Sequence, residues 1–292
     1  MAMAPRIEGR IGRADRTHRS RRRTDGAGPP AACAAGAAPG GRFADRLLQC
    51  RYELKYRVTA AKAAAIERFI RPYIQLDHYC KHRPDGAYPV VTLYLDSADF
   101  HLARQSLEGQ KNRFKLRIRS YTDDPDYPRF VEIKRRLNAV IIKSRARVSQ
   151  THLPRVLSGL SVPAETYRSE LDTIRQFQLY TTSINAAPVM KVRYLRRAYE
   201  GDTENRVRIT FDYDLTWRVD HSLQLDSGGP GWLRDAPGTV VLEIKFTGRY
   251  PLWLSRMAAY FNLRQQSISK YVHAVKSCCR FGLARPAFAG NV

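Results

Sequence analysis

Residues 114–121 read Phe-Lys-Leu-Arg-Ile-Arg-Ser-Tyr. Phe114, Leu116 and Ile118 fall on one parity, and Lys115, Arg117 and Arg119 on the other. Successive side chains of an extended strand point to opposite faces. The stretch is therefore a strand with one apolar face and one triply cationic face. The pattern recurs. Residues 51–57 put Arg51, Glu53, Lys55 and Arg57 on one side, and 130–136 set Glu132, Lys134 and Arg136 against Val131 and Ile133. Lys143, Arg145 and Arg147 follow an apolar run, and further copies surround Lys191 and Arg193, Arg208, and Glu243 with Lys245. One such strand is a solvated sheet face. A set of them makes either an open sheet showing its cations to water or a closed barrel. The barrel turns the cations into a bore and covers its apolar outside with helices.

The rest of the chain narrows the choice. A hydrophobic content of 43% over 292 residues supports a real core, in one large domain or two small ones. The formal net charge of +23 calls for a polyanionic partner: nucleic acid, membrane lipid or polyphosphate. The five cysteines have no metal-ligand or redox spacing and read as reduced bystanders in a cytoplasmic protein. No run approaches the ~18–20 apolar residues of a membrane helix, and no secretory signal is visible, so a soluble protein is expected. Residues 1–42, rich in Arg, Ala, Gly and Pro, read as a disordered basic tail. Residues 43–283 form the folded domain, and 284–292 a short C-terminal tail.

Within the domain, Thr59 is placed to cap a helix ending near Arg71, ahead of Pro72. Residues 88–95 are a strand, and a short helix follows Asp96. The strands 113–121 and 129–136 are joined by the turn cluster Asp123-Asp124-Pro125-Asp126, and Asn138 separates the second from strand 139–148. Residues 150–182 carry two helical patterns broken at Gly159 and Pro163. Strands return at 187–199 and 206–213, with another predicted over 216–225 and a last one at 240–246. Pro251 opens a helix to Tyr260, and Ser269 caps a final one over 270–280. Strands without regular strand–helix alternation predict an antiparallel barrel or sandwich. No P-loop, dinucleotide glycine pattern or kinase catalytic loop is present.

Six motifs occur in order: Arg51-Tyr52-Glu53-Leu54-Lys55-Tyr56, Tyr94-Leu95-Asp96-Ser97, Lys115 to Tyr121, Glu132-Ile133-Lys134-Arg135, Leu242-Glu243-Ile244-Lys245 and Ser269-Lys270-Tyr271. Together they resemble the VTC domain, the catalytic domain of polyphosphate polymerases and a branch of the triphosphate tunnel metalloenzymes. The resemblance covers about residues 48–282. It implies an α+β fold with an eight-stranded antiparallel barrel, the triphosphate tunnel, carrying helices on its outside. It implies phosphate ligands at Lys55, Arg117, Arg119, Lys134, Lys143, Arg193, Arg208 and Lys270, with Arg117, Arg119, Lys134 and Arg208 serving catalysis. Arg145 or Lys191 are the alternatives to Lys143 and Arg193. Glu243 matches the acidic ligand of Mn²⁺ or Mg²⁺. Hydrolytic members resemble one another in a first-strand Glu-x-Glu-x-Lys. Arg51 stands at the first carboxylate here, which favours transfer over hydrolysis.

The implied activity moves the γ-phosphoryl of a nucleoside triphosphate, ATP foremost, onto a polyphosphate chain. The attacking phosphate oxygen is already anionic, so positioning and charge stabilisation suffice. Tunnel proteins that only bind or hydrolyse triphosphate share the same ligands. A nucleic-acid-binding β protein is the rival from another class, but its cationic faces would interleave aromatics for base stacking, and these carry few. A separate membrane partner is the expected route for any coupling to transport. Glu53 and Glu132 read as neutralised within their own strands, and Asp212 and Asp214 as partners of Arg208 or of a neighbouring strand. His78, His82 and His101 read as surface residues, and Tyr52, Tyr56, Tyr94 and Tyr121 as packing residues.

Overall fold

The computed structural model describes residues 51–138, 140–162, 168–201, 206–280 and 282. The chain divides between Arg46 and Leu47. The expected tails at 1–42 and 284–292 lie outside the described residues.

The first strand, β1 (Arg51–Thr59), runs directly into helix α1 (Ala60–Ile70). The Thr59 hydroxyl accepts from the Lys62 amide at 3.2 Å and so caps the helix as its position predicts. Two short elements, β2 (Gln75–Leu76) and α2 (His78–Lys81), precede β3 (Tyr88–Asp96) and α3 (His101–Leu107). A meander of β4 (Asn112–Ser120), β5 (Arg129–Leu137) and β6 (Val140–Val148) follows. Helices α4 (Leu153–Leu157) and α5 (Arg168–Ser183) lead to the long strands β7 (Ala187–Glu200) and β8 (Val207–Val219). The chain continues through β9 (Leu233–Arg234), β10 (Thr239–Thr247), α6 (Leu252–Tyr260) and α7 (Lys270–Arg280). The strand expected over 216–225 is the end of β8 and stops at Val219. The two-residue strands β2 and β9 and the single turn α2 are too short to leave a periodic signal.

Every pairing is antiparallel, along the path β1-β10-β8-β7-β3-β4-β5-β6, with β2 added to β7 and β9 to β8. The mixed α+β class and the single antiparallel sheet agree with expectation. Closure does not: β1 and β6 are not paired, so the sheet is not an eight-stranded barrel. Two observations explain this. The Gln266 amide bonds the Lys55 carbonyl at 2.9 Å, so the segment leading into α7 occupies the edge that β1 would offer to β6. Meanwhile β6 is held to α5 through Ala146 and Val148, which pack with Ile174 and Phe177. The sheet still curls. Lys134 of β5 reaches Glu53 of β1 at 3.7 Å, although β1 begins the path and β5 is its last strand but one.

Three apolar clusters hold the curl. On the convex side, α1 and α6 cover β1, β10 and β8 through Ile66, Ile70, Leu254 and Met257 against Leu242, Ile244 and Phe211. Also convex, α4 and α5 cover β3, β4, β5 and β6 through Val156 and Phe177 against Leu116, Ile118, Val131 and Ile133. Each such fully buried side chain contributes about 1.5–3 kcal/mol. The third cluster packs α7 on β7 and β8, with Tyr271, Ala274 and Val275 meeting Val192, Tyr194, Ala198 and Trp217. Asp96 anchors this helix. It accepts the Leu102 and Ala103 amides at the start of α3 and the Tyr271 hydroxyl at 2.6 Å, tying α3 to α7.

Candidate functional site

The alternation in the strands now acquires a geometry. With Leu116, Ile118, Val131 and Ile133 committed to the convex core, Lys115, Arg117, Arg119, Glu132 and Lys134 must face the hollow of the sheet. The β4–β5 register sets Arg117 opposite Glu132 and Lys115 opposite Lys134, and the β5–β6 register sets Lys134 opposite Lys143 and Glu132 opposite Arg145.

Glu132 is the first centre of this face. Its side chain is fully buried, and its carboxylate meets Arg117 Nε at 2.6 Å, Lys143 Nζ and Arg145 Nε at 2.9 Å each, and Arg119 at 3.7 Å. Burial alone would raise its pKa, but Arg117, Arg119 and Lys143 hold it far below the usual carboxylate range. Neutralisation is thus across strands, not within β5 as the spacing to Lys134 suggested. Arg119 is buried and also donates to Thr92 at 3.2 Å.

A second centre lies across β1 and β10, where Lys55 pairs in register with Glu243 and Glu53 with Lys245. Lys55 approaches Glu53 at 2.7 Å and Glu243 at 3.9 Å, and Lys245 approaches Glu243 at 2.5 Å. Glu243 is buried. Its desolvation opposes ionisation, yet Lys245, Lys55, Lys270 and Arg196 keep its pKa well below the ordinary value. Glu53 and Glu243 repel one another across this lattice, and Glu53 stays ionised because Lys55, Lys134 and Lys245 offset burial and that repulsion. Lys134 in turn is lowered to about 8, by burial and by Lys55 and Arg117, against the pull of Glu53.

The third centre joins β7, β8 and α7. Arg196 grips Asp212 with two bonds, 2.7 and 2.8 Å, and Lys270 reaches the same carboxylate at 2.7 Å. Lys270 also stands 4.9 Å from the centre of the Tyr194 ring. Desolvation opposes the charge on Arg196 and Lys270, but Asp212 and Tyr194 raise both pKa values. Arg119 feels Glu132 on one side and Tyr194 and Arg196 on the other, so the three centres form one electrostatic system.

Most of the residues expected from the sequence meet here: Lys55, Arg117, Arg119, Lys134, Lys143, Lys270 and Glu243. Arg193 does not. It lies on the opposite parity of β7, bonded to Thr216 at 3.0 Å and to the Ser227 carbonyl, with its guanidinium 4.2 Å from the centre of the Trp232 ring. Arg196 takes the inward place. Both faces of β7 carry cations, and α7 buries the parity of Val192 and Tyr194. Arg208 shares the inward parity of Asp212, but it is bound at the margin by Asp77 and Glu200, each at 2.7 Å. Asp212 therefore serves Arg196 and Lys270, not Arg208, while Asp214 turns at a positive φ of 51°. Lys115, Arg145 and Lys245 also belong to the face. Their parity with Arg117, Lys143 and Glu243 was the available signal; Arg196 left none.

Among the described residues no group of three or more His, Cys, Asp or Glu side chains converges in a way that could hold a metal ion. The nearest approach is the carboxylate pair of Glu53 and Glu243. Two oxygen donors beside several ammonium groups fit a hard divalent ion that brings phosphate oxygens with it, not one held by side chains alone.

The site is thus an antiparallel sheet curled around inward-facing arginine and lysine, with α1, α4, α5 and α6 on its convex side and α7 packed on the parity of Val192 and Tyr194. The VTC domain family matches residues 50–279, and the chain belongs to that family. Two solved structures are similar at low identity. A proposed adenylate cyclase from Bacillus halodurans is 14% identical with a TM-score of 0.41, the match covering 74% of this chain and 92% of that one. The PH1819 protein of Pyrococcus horikoshii OT3 is 10% identical with a TM-score of 0.40, over 77% and 99% of the two chains. Comparison with curated proteins yields no match. No described helix is long and apolar enough to cross a membrane.

Proposed function

We propose that this face binds the triphosphate of a nucleotide together with polyphosphate and transfers the γ-phosphoryl group onto the chain end. One observation carries the reading. Ten cations share the face, namely Lys55, Lys115, Arg117, Arg119, Lys134, Lys143, Arg145, Arg196, Lys245 and Lys270, against four carboxylates, Glu53, Glu132, Asp212 and Glu243. A formal excess of six positive charges, drawn from strands that cover the hollow, matches a linear polyanion.

The chemistry asks little of these residues beyond placement. The attacking oxygen of a phosphate chain is anionic and needs no general base. The transition state is loose and spreads charge over the equatorial oxygens. Arg117, Arg119 and Arg196 present paired N–H groups to such oxygens, while Lys134, Lys143 and Lys270 act as point charges that move with the substrate. Glu132 and Asp212 keep those cations oriented before the ligand arrives. Glu243, with Glu53, would hold Mn²⁺ or Mg²⁺, which would supply further stabilisation of phosphate charge.

The test is an assay of purified protein with ATP and Mn²⁺. Acid-labile phosphate polymer and ADP are expected. Arg117→Ala should lower the rate by about 10²–10³-fold, the usual cost of one donor to a developing oxyanion. ADP with free phosphate alone identifies a hydrolase, and the absence of turnover beside tight triphosphate binding identifies a binding protein.

A further inference from the structure

Every other lysine on the cationic face sits on a carboxylate, from Lys55 on Glu53 to Lys270 on Asp212. Lys115 has no carboxylate partner among the described residues. Its Nζ donates instead to a neutral acceptor, Ser269 Oγ at 2.7 Å, at the start of α7. The charges that act on it most strongly are cations: Lys134 from β5, Lys55 from β1, and Arg117 and Arg113 from its own strand. The nearby Glu53 is engaged by Lys55 and Lys134. An anion entering among Lys55, Lys115 and Lys134 thus meets one lysine nitrogen with no carboxylate to leave.

We propose that Lys115 is a proton-coupled phosphate ligand, which leaves Ser269 and takes up a proton when a phosphate group settles between it, Lys55 and Lys134. The inference rests on the triphosphate-binding reading and adds to it the residue through which binding depends on pH. The step is one protonation: a solvent proton joins the neutral amine, and no other bond is made or broken. Burial first, then Lys134 and Lys55, push the Lys115 pKa down to about 7. An adjacent phosphate reverses that crowding and restores the charged form.

The experiment is calorimetric titration of inorganic triphosphate into the whole protein at pH 7.0, in buffers of different ionisation heat. With its pKa near 7, below the Lys134 value near 8, Lys115 has the larger uncharged fraction at this pH, so the difference between proteins reports on Lys115. Wild type should take up about half a proton more per bound triphosphate than Lys115→Met. Lys115→Arg, which is charged at every working pH, should bind within a few-fold of wild type and lack that uptake. The arginine variant keeps the test decisive if the methionine variant does not fold. Equal proton uptake in wild type and the variants overturns the assignment and leaves triphosphate binding standing. No binding heat in wild type overturns both.

Discussion

Glu132 offers the sharpest perturbation, because one buried carboxylate is shared by four cations. Glu132→Gln preserves the volume and removes the charge, leaving Arg117, Lys143 and Arg145 without the partner they hold within 3 Å. Removing one side of a buried ion pair costs about 3–5 kcal/mol, since the other side stays desolvated. For a domain of this size each kcal/mol moves Tm by about 2–4 °C, so a fall of about 6–20 °C is expected at low salt. The loss should shrink with added salt, which screens the half-exposed lysine and arginine heads. Triphosphate should narrow it. The variant's guanidinium groups no longer have an internal acceptor competing with phosphate, so the variant binds triphosphate more tightly than wild type, and each tenfold gain in affinity at saturating ligand recovers about 1.4 kcal/mol. Calorimetric melts of both proteins, with and without triphosphate, measure each quantity. A Tm within 2 °C of wild type, or a deficit that triphosphate leaves untouched, would refute the idea that Glu132 holds these cations ready for phosphate.

Two more outcomes follow from the same geometry. Arg196→Ala should weaken triphosphate binding by at least about tenfold, since it removes a bidentate group from the hollow, whereas Arg193→Ala should leave binding within twofold; titration calorimetry decides, and the reverse order would place the hollow on the other parity of β7. Asp235 accepts from Arg57 at 2.6 Å and His273 at 3.1 Å. Burial opposes its ionisation, but His273, the Ala236 amide and Arg57 bring its pKa down to about 2, below the ordinary 3.8. A depressed carboxylate stabilises fully above its unfolded pKa and loses that contribution as pH falls toward the folded value. Asp235→Asn should therefore cost about 2 kcal/mol at pH 6 and progressively less from pH 4 to pH 2. Urea unfolding across that range checks it, and a pH-independent cost would mean that packing, not charge, is lost.

Much of the fold could be read directly from local chemistry. The helix starts at Thr59, Pro251 and Ser269 follow from capping and from the fixed backbone of proline, and the turn at Asn138 takes a positive φ of 54°. Alternation put Lys55, Arg117, Arg119, Lys134 and Lys143 on the charged faces of their strands, because each strand has one apolar parity that must be buried, and the family resemblance singled them out among the cations there. The expected barrel failed at its seam for a reason that alternation does not contain. Periodicity describes a strand's two faces and says nothing about what occupies its edges.

The period-two pattern by itself determined that this chain forms strands with a cationic face, and the absence of regular strand–helix alternation that they pair antiparallel. Only the tertiary structure decided which parity of β7 turns inward, because Lys191, Arg193, Arg196 and Arg197 charge both of its faces and the packing of α7 selects one. It also decided that the 266–269 segment bridges β1 to β4, and that Lys115 meets a hydroxyl where its neighbours meet carboxylates. Those outcomes depend on contacts between residues more than 150 positions apart, such as Lys115 with Ser269. Such contacts are settled by how the whole sheet curls, and no local pattern encodes them.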